Sequence, residues 1–169
     1  YNQTDFILMY KFLLLLFFSF QFLNAQEGYP KPQKTENLLF YIQHSSDHNT
    51  FIYEWNGSKS APINVFRINY EDNGQKEELT SVQRKFAYGV NYTNASKSQF
   101  YLAATKKIIL NLKSVGDKHW VEVTIGKQKI KIDHIFIQLQ SKSNGINVKA
   151  DYILIYGKNQ NNKSIVEKI

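Results

Sequence analysis

The sequence predicts a mainly β protein: an antiparallel β-sandwich or small β-barrel of about eight strands with one short helix. Three observations carry this. Apolar residues alternate with polar ones over short runs, those runs are separated by glycine- and asparagine-containing turns, and only one stretch has a helical period.

Leu38–Gln43 is a continuous apolar run suited to a buried strand, and Phe51, Tyr53 and Trp55 alternate with Ile52 and Glu54 in the next. Ile63–Tyr70 forms a third strand, closed by the turn Asp72-Asn73-Gly74. Glu77–Gly89 is the expected helix. Thr80 and Gln83 have capping-box spacing, Leu79, Val82 and Phe86 share a face, and Gly89 supplies a left-handed stop. Five further strands follow at 99–105, 108–112, 119–125, 128–140 and 146–156, with hairpin turns at Gly126-Lys127 and Asn144-Gly145. Within 128–140 the apolar phase changes from Ile130 and Ile132 to Ile135, Ile137 and Leu139, which implies a β-bulge at Asp133-His134. Tyr152–Tyr156 is apolar on both faces and reads as a central, covered strand, whereas the polar tail 159–169 reads as loose.

The N-terminal stretch has the layout of a secretory signal peptide starting at Met9: a basic Lys11, an apolar run from Phe12 to Phe20, and small residues at Asn24-Ala25. The run is shorter than the roughly 20 residues of a spanning helix, so cleavage after Ala25 is expected, with no transmembrane segment in the mature chain. Residues 26–37 hold two of the three prolines and read as a linker to a single domain over 38–158. The expected product is an exported bacterial protein, periplasmic or extracellular. Zero cysteines exclude thiol catalysis and thiolate metal sites.

The net charge of +7 comes almost entirely from scattered lysines, and no basic stripe alternates with stacking aromatics, so a nucleic-acid partner is not expected. A nucleophile elbow, paired carboxylates, a phosphate loop and a histidine motif on a helix are all missing from the sequence; no catalytic residue and no cofactor is assigned. Two residue groups stand out. His44, Asp47 and His48 lie within five residues and could hold zinc with a further ligand such as His119 or His134. Arg67 and Arg84 are the only arginines, and with Tyr88 they could form a guanidinium pair for a carboxylate or phosphate; the structural alternative is a salt bridge from Arg67 to Glu71 or Glu78. Tyr53, Trp55, Tyr92 and Trp120 could stack on sugars, although alternating aromatics are more usually core.

The strings LLFYIQHS (38–45), VFRINYEDNG (65–74), ELTSVQRKFAYGV (78–90), HIFIQL (134–139) and YILIYG (152–157) resemble a bacterial secreted family of unknown function, DUF 4833, over about residues 29–158. Gln83, Arg84, Lys85, Ala87, Tyr88 and Gly89 are its most specific part. The resemblance implies a secreted or envelope-located β domain and no particular activity. The family pattern has arginine where His44 stands and tryptophan or tyrosine where Phe66 stands, and the first departure speaks against His44 as an essential catalytic or metal residue. The leading expectation is a non-catalytic binding or envelope-associated module whose partner is a glycan or another envelope protein. The alternatives are a carrier of a small apolar ligand in a barrel, and a hydrolase or metal-dependent enzyme around His44 and His48.

Overall fold

The computed structural model describes residues 28–141 and 148–169. The chain divides into two units, Tyr1–Pro30 and Lys31–Ile169. Among the described residues the second unit is a curled mixed sheet of eleven strands, a half-barrel with one short helical segment.

The strands are β1 Leu38–His44, β2 Thr50–Trp55, β3 Ile63–Asn69, β4 Gln75–Glu78, β5 Val90–Tyr92, β6 Gln99–Leu102, β7 Leu110–Val115, β8 Lys118–Ile125, β9 Gln128–Leu139, β10 Ala150–Lys158 and β11 Ser164–Lys168. Their order is β4-β3-β2-β1-β9-β8-β7-β6-β5, and β10 lies between β9 and β11. Hydrogen bonding is antiparallel throughout except between β1 and β9, which run parallel. Of the three strands beyond the expected eight, β4 takes the first two residues of the expected helix, Glu77 and Glu78, β5 falls between the expected helix and the strand at 99–105, and β11 lies in the tail expected to be loose. In β11, SIVEK supplies only two large apolar side chains, Ile165 and Val166, too short a pattern to stand out after the polar NQNNK.

Strand β9 is the organising element. β10 pairs with it from Lys131 to Leu139 along one edge. The other edge is shared in succession: β8 takes Gln128–Lys131 and β1 takes His134–Ile137. The expected bulge lies between these two stretches, because Tyr156 and Gly157, adjacent on β10, face His134 and Ile132, leaving Asp133 as the extra residue. A bulge bends its strand and increases the local twist. The sheet therefore turns where β9 changes partner.

The concave face holds the main core. Phe40, Tyr53, Phe100, Ile130 and Val121 are fully buried there, with Phe40 stacked on Tyr53 at 4.3 Å between ring centroids. Trp55 of β2 meets His119 of β8 ring to ring at 4.0 Å, although two strands lie between them in the sheet. Burying each such side chain contributes about 1.5–3 kcal/mol. Lys129 and Lys131 alternate with buried Ile130 and Ile132 and stay exposed. The turns at Asn73-Gly74 and Gly126 adopt positive φ as expected. Tyr152–Tyr156 is internal to the sheet, but only Ile155 is fully buried, so it is less covered than its composition suggests. The turn at Asn144-Gly145 lies outside the described residues.

The helix differs most from expectation. Glu77 and Glu78 extend β4, and helical backbone runs only from Ser81 to Tyr88: an α-turn, α1 Ser81–Gln83, followed by a π-helical turn Arg84–Tyr88. The capping box forms, with the Thr80 N–H donating to Gln83 Oε1 at 3.0 Å and the Gln83 N–H to Thr80 Oγ1 at 3.2 Å. Leu79 is buried, but Val82 and Phe86 are 58% and 63% exposed, so the expected apolar face does not form. Gly89 is extended (φ −65°, ψ 145°), not left-handed.

Candidate functional site

The hairpin joining β1 and β2 sets the site. Gln43 and Thr50 are paired and share one face, where Gln43 Nε2 donates to Thr50 Oγ1 at 2.8 Å. Alternation then places His44, Asn49 and Phe51 on the other, concave face. Ser45 fastens the loop to β9: its N–H donates to the Ile137 carbonyl at 3.0 Å, and its Oγ accepts from the Leu139 N–H at 3.0 Å. Asp47 Oδ1 accepts the Asn49 N–H at 2.8 Å, an Asx turn that closes the loop.

Within this loop His44 is buried, and Ser46 Oγ lies 2.7 Å and Asp47 Oδ1 3.8 Å from its Nδ1. A nucleophile relay requires hydroxyl and carboxylate on opposite ring nitrogens. Here both address Nδ1, and the arrangement is a loop anchor. Burial holds the His44 pKa below its ordinary value, with Asp47 opposing that shift, so the ring is neutral at neutral pH.

The π-helical turn brings Tyr88 onto the loop. Its ring stacks on Phe51 at 3.4 Å and lies near-parallel to His44 at 6.2 Å. The Tyr53 hydroxyl, fully buried in the core, donates to the Tyr88 carbonyl at 2.8 Å. The next turns are pinned from the other side, where the Ala104 N–H donates to the Ala87 carbonyl and the Ala103 N–H to the Gly89 carbonyl. Gly89 has no room for a side chain: a Cβ there would stand 1.9 Å from the Arg84 carbonyl oxygen. The string singled out in the sequence is thus a structural device. Gln83 closes the cap, Ala87 and Gly89 accept cross-links, and Tyr88 is delivered to the concave end of the sheet.

Arg67 completes the cluster. It is paired with Phe51 on β2 and Glu77 on β4, so the three side chains share a row on the concave face. Its guanidinium forms an ion pair with Glu77, whose second oxygen accepts from Asn69 Nδ2 at 2.9 Å. These hydrogen bonds hold the Glu77 carboxyl below its ordinary pKa. The Tyr88 hydroxyl is pushed well up by burial; the Asp47 carboxylate adds to the rise and the Arg67 guanidinium opposes it, so both charges act on that hydroxyl. Two residues before Phe51, Asn49 is 6% exposed, and its Oδ1 is buried with no hydrogen-bond partner. Such an orphan costs about 1–3 kcal/mol and calls for an explanation.

The structure therefore brings together His44, Asp47, Arg67 and Tyr88 from the two sequence-derived groups. It leaves His48 on the exposed side of the loop, and among the described residues no three His, Asp or Glu side chains converge as a metal site. Arg84 pairs at 3.5 Å with Glu78 on the surface, so each arginine is engaged by its own carboxylate, and the partner of Arg67 is Glu77 rather than Glu71 or Glu78. The aromatic set is dispersed: Tyr53 is core, Trp55 stacks on His119, the Tyr92 hydroxyl accepts the Ile63 N–H at 3.1 Å, and Trp120 Nε1 donates to Glu122. Sequence reasoning missed Asn49, which carries no signal in a chain rich in asparagine.

Comparison with known proteins gives one match. The family model for a domain of unknown function, DUF4833, aligns with residues 40–168, from β1 through β11. The chain belongs to the DUF4833 family. No curated protein and no solved structure matches it. Within this DUF4833 chain the aligned region contains every residue of the cluster, and among the described residues no helix is long and apolar enough to cross a membrane.

Proposed function

We propose that this DUF4833 chain is a non-catalytic binding module that is exported to the periplasm or the cell exterior, and that it recognises an envelope protein or glycan at the concave end formed by Asp47, Asn49, Arg67 and Tyr88. The buried, partnerless Oδ1 of Asn49, two residues before the Phe51 on which the pinned Tyr88 stacks, carries the reading. A protein retains an unsatisfied buried acceptor at a cost to stability, and a ligand donor at that point removes the cost. The signal-peptide layout of residues 9–25 supports the address. The Ser46–His44–Asp47 geometry gives no relay to support a hydrolase, and the concave face packed by Phe40, Tyr53 and Phe100 does not favour an apolar carrier.

The test is comparative. Envelope extract is passed over immobilised wild type and over the Tyr88→Ala and Arg67→Ala variants, with folding checked by circular dichroism. A component held by wild type and lost by both folded variants supports the module. Retention that ignores both substitutions refutes this placement of the site.

A further inference from the structure

The electrostatics of the concave end narrow the ligand. Both Nε and Nη2 of Arg67 are committed to Glu77, and Glu77 is further held by Asn69. Nη1 keeps its donors, but the guanidinium charge is already balanced by that carboxylate, so an anionic ligand meets no net positive charge there. With His44 neutral, the Asp47 carboxylate has no cationic partner among the described residues: its own oxygens accept only the Asn49 N–H, at 2.8 Å, and the Ser46 hydroxyl, at 3.5 Å, while the neutral His44 Nδ1 lies 3.8 Å away. Two residues on, the buried Oδ1 of Asn49 is also without a donor. The end thus has one carboxylate in excess and an acceptor to spare, next to the stacked rings of Phe51 and Tyr88.

We infer that this site takes the side chain of a lysine from a protein partner, its ammonium donating to Asp47 and Asn49 Oδ1 and its aliphatic stem lying against the Tyr88 ring. Lysine suits both parts, because its stem buries against apolar surface while its head supplies three donors and an attraction to the aromatic face. The inference rests on the binding-module reading and specifies what that module recognises.

The experiment is an amide NMR titration of the full 15N-labelled chain at constant ionic strength. The probes are N-α-acetyl-lysine methylamide, its norleucine analogue (stem without ammonium), tetramethylammonium (charge without N–H), glucosamine and inorganic phosphate. The lysine derivative is expected to give saturable shifts at Asp47, Asn49, Arg67 and Tyr88, with a Kd on the order of 1 mM for so small a ligand, weakened at least about tenfold in Asp47→Asn, which retains an acceptor for the Asn49 N–H. Norleucine and tetramethylammonium should leave those amides in place; this comparison needs no variant and decides the matter even if Asp47→Asn does not fold. The lysine assignment is overturned if tetramethylammonium or the norleucine analogue reproduces the shifts, or if glucosamine binds at least as tightly. Phosphate shifting the same amides also overturns it while leaving the site itself standing. Silence of these amides to every probe, together with extract retention that ignores Tyr88→Ala, removes both readings.

Discussion

Replacing Gly89 by alanine separates two explanations of the same glycine. If the residue were a left-handed stop, as its place after a helix suggests, alanine would cost about 1–2 kcal/mol through its backbone conformation. The observed φ of −65° and ψ of 145° suit alanine, so that cost is absent. Space is the obstacle. The new Cβ would lie 1.9 Å from the Arg84 oxygen and 2.9 Å from its carbon, both backbone atoms, and the oxygen would have to retreat by roughly an ångström or more to reach ordinary contact. The turn is held on both sides, by the Tyr53 hydroxyl on the Tyr88 carbonyl and by the amides of Ala103 and Ala104. Overpacking costs about 1–3 kcal/mol, sometimes more, and a pinned backbone places Gly89→Ala at the upper end, about 3 kcal/mol. Gly126→Ala is the control: its φ is +58° and nothing lies within 4 Å, so only the conformational cost of about 1–2 kcal/mol applies. Urea unfolding of the two variants should show Gly89→Ala clearly the less stable, with Tm lower by roughly 10 °C than wild type. Equal losses, or a Gly89→Ala loss under about 1 kcal/mol, would refute the close-approach argument and with it the account of how Tyr88 is positioned.

Leu79→Ala should cost about 2–5 kcal/mol, because its side chain is buried, whereas Val82→Ala, 58% exposed, should stay within about 0.5 kcal/mol; comparable losses in chemical denaturation would restore the amphipathic helix face that the structure lacks. Tyr53→Phe removes the donor to the Tyr88 carbonyl and keeps the ring stack on Phe40, so a loss of about 1–1.5 kcal/mol is expected with little change in shape. His44 gives a pH dependence of defined sign. Burial lowers its folded pKa below 6.5, so the unfolded chain takes the proton first; the stability due to the neutral ring is whole above about pH 6.5 and is lost as pH falls from there towards the folded value. The urea midpoint should therefore fall less between pH 7 and pH 5 in His44→Gln than in wild type, and identical slopes would show that His44 does not titrate differently on folding. Asp133 and Glu77, whose pKa values are lowered, act further down: their contribution is whole above the ordinary carboxylate range and is lost only as pH falls through their depressed folded values.

Local chemistry made much of this fold legible. The covered strands β1 to β3, the capping box, the turns at Gly74 and Gly126 and the bulge at Asp133 follow from side-chain period and turn residues, which act over a few positions. What the sequence conceals is what distant segments decide. The parallel pairing of β1 with β9 joins residues more than 90 positions apart, and β11 is a strand because β10 offers it an edge, although its own residues form a weak pattern. Glu77 illustrates the point at the site. Beside Glu78 and ahead of Thr80 it reads as helix-start chemistry, yet Arg67 and Asn69 across the β3–β4 hairpin draw it into a strand. Arg67 and Tyr88 were legible as candidates through the scarcity of arginine and the specificity of the Tyr88-Gly89 string. Asn49 was not, since an unsatisfied oxygen is a property of surroundings and leaves no trace in residue type.

The same contrast between local and global chemistry bears on the sign of the ligand. A chain of net charge +7 invites an anionic partner, and two lone arginines strengthen that expectation. The charge, however, is carried by lysines dispersed over exposed strand faces and loops, and at physiological ionic strength exposed charges act over only about 8 Å. What a bound group meets is the immediate surroundings of the concave end: a guanidinium whose charge is balanced by Glu77, an Asp47 without a cationic partner among the described residues, and an acceptor on Asn49 shut away from water. Low local dielectric strengthens such short-range interactions, whereas the distant lysines act through screening solvent. Discrimination at this end therefore runs against the net charge of the molecule, favouring donors over anions. Neutralising outlying lysines such as Lys113 and Lys158 should change the rate of encounter with a charged partner while leaving unchanged which chemical group is held once it arrives.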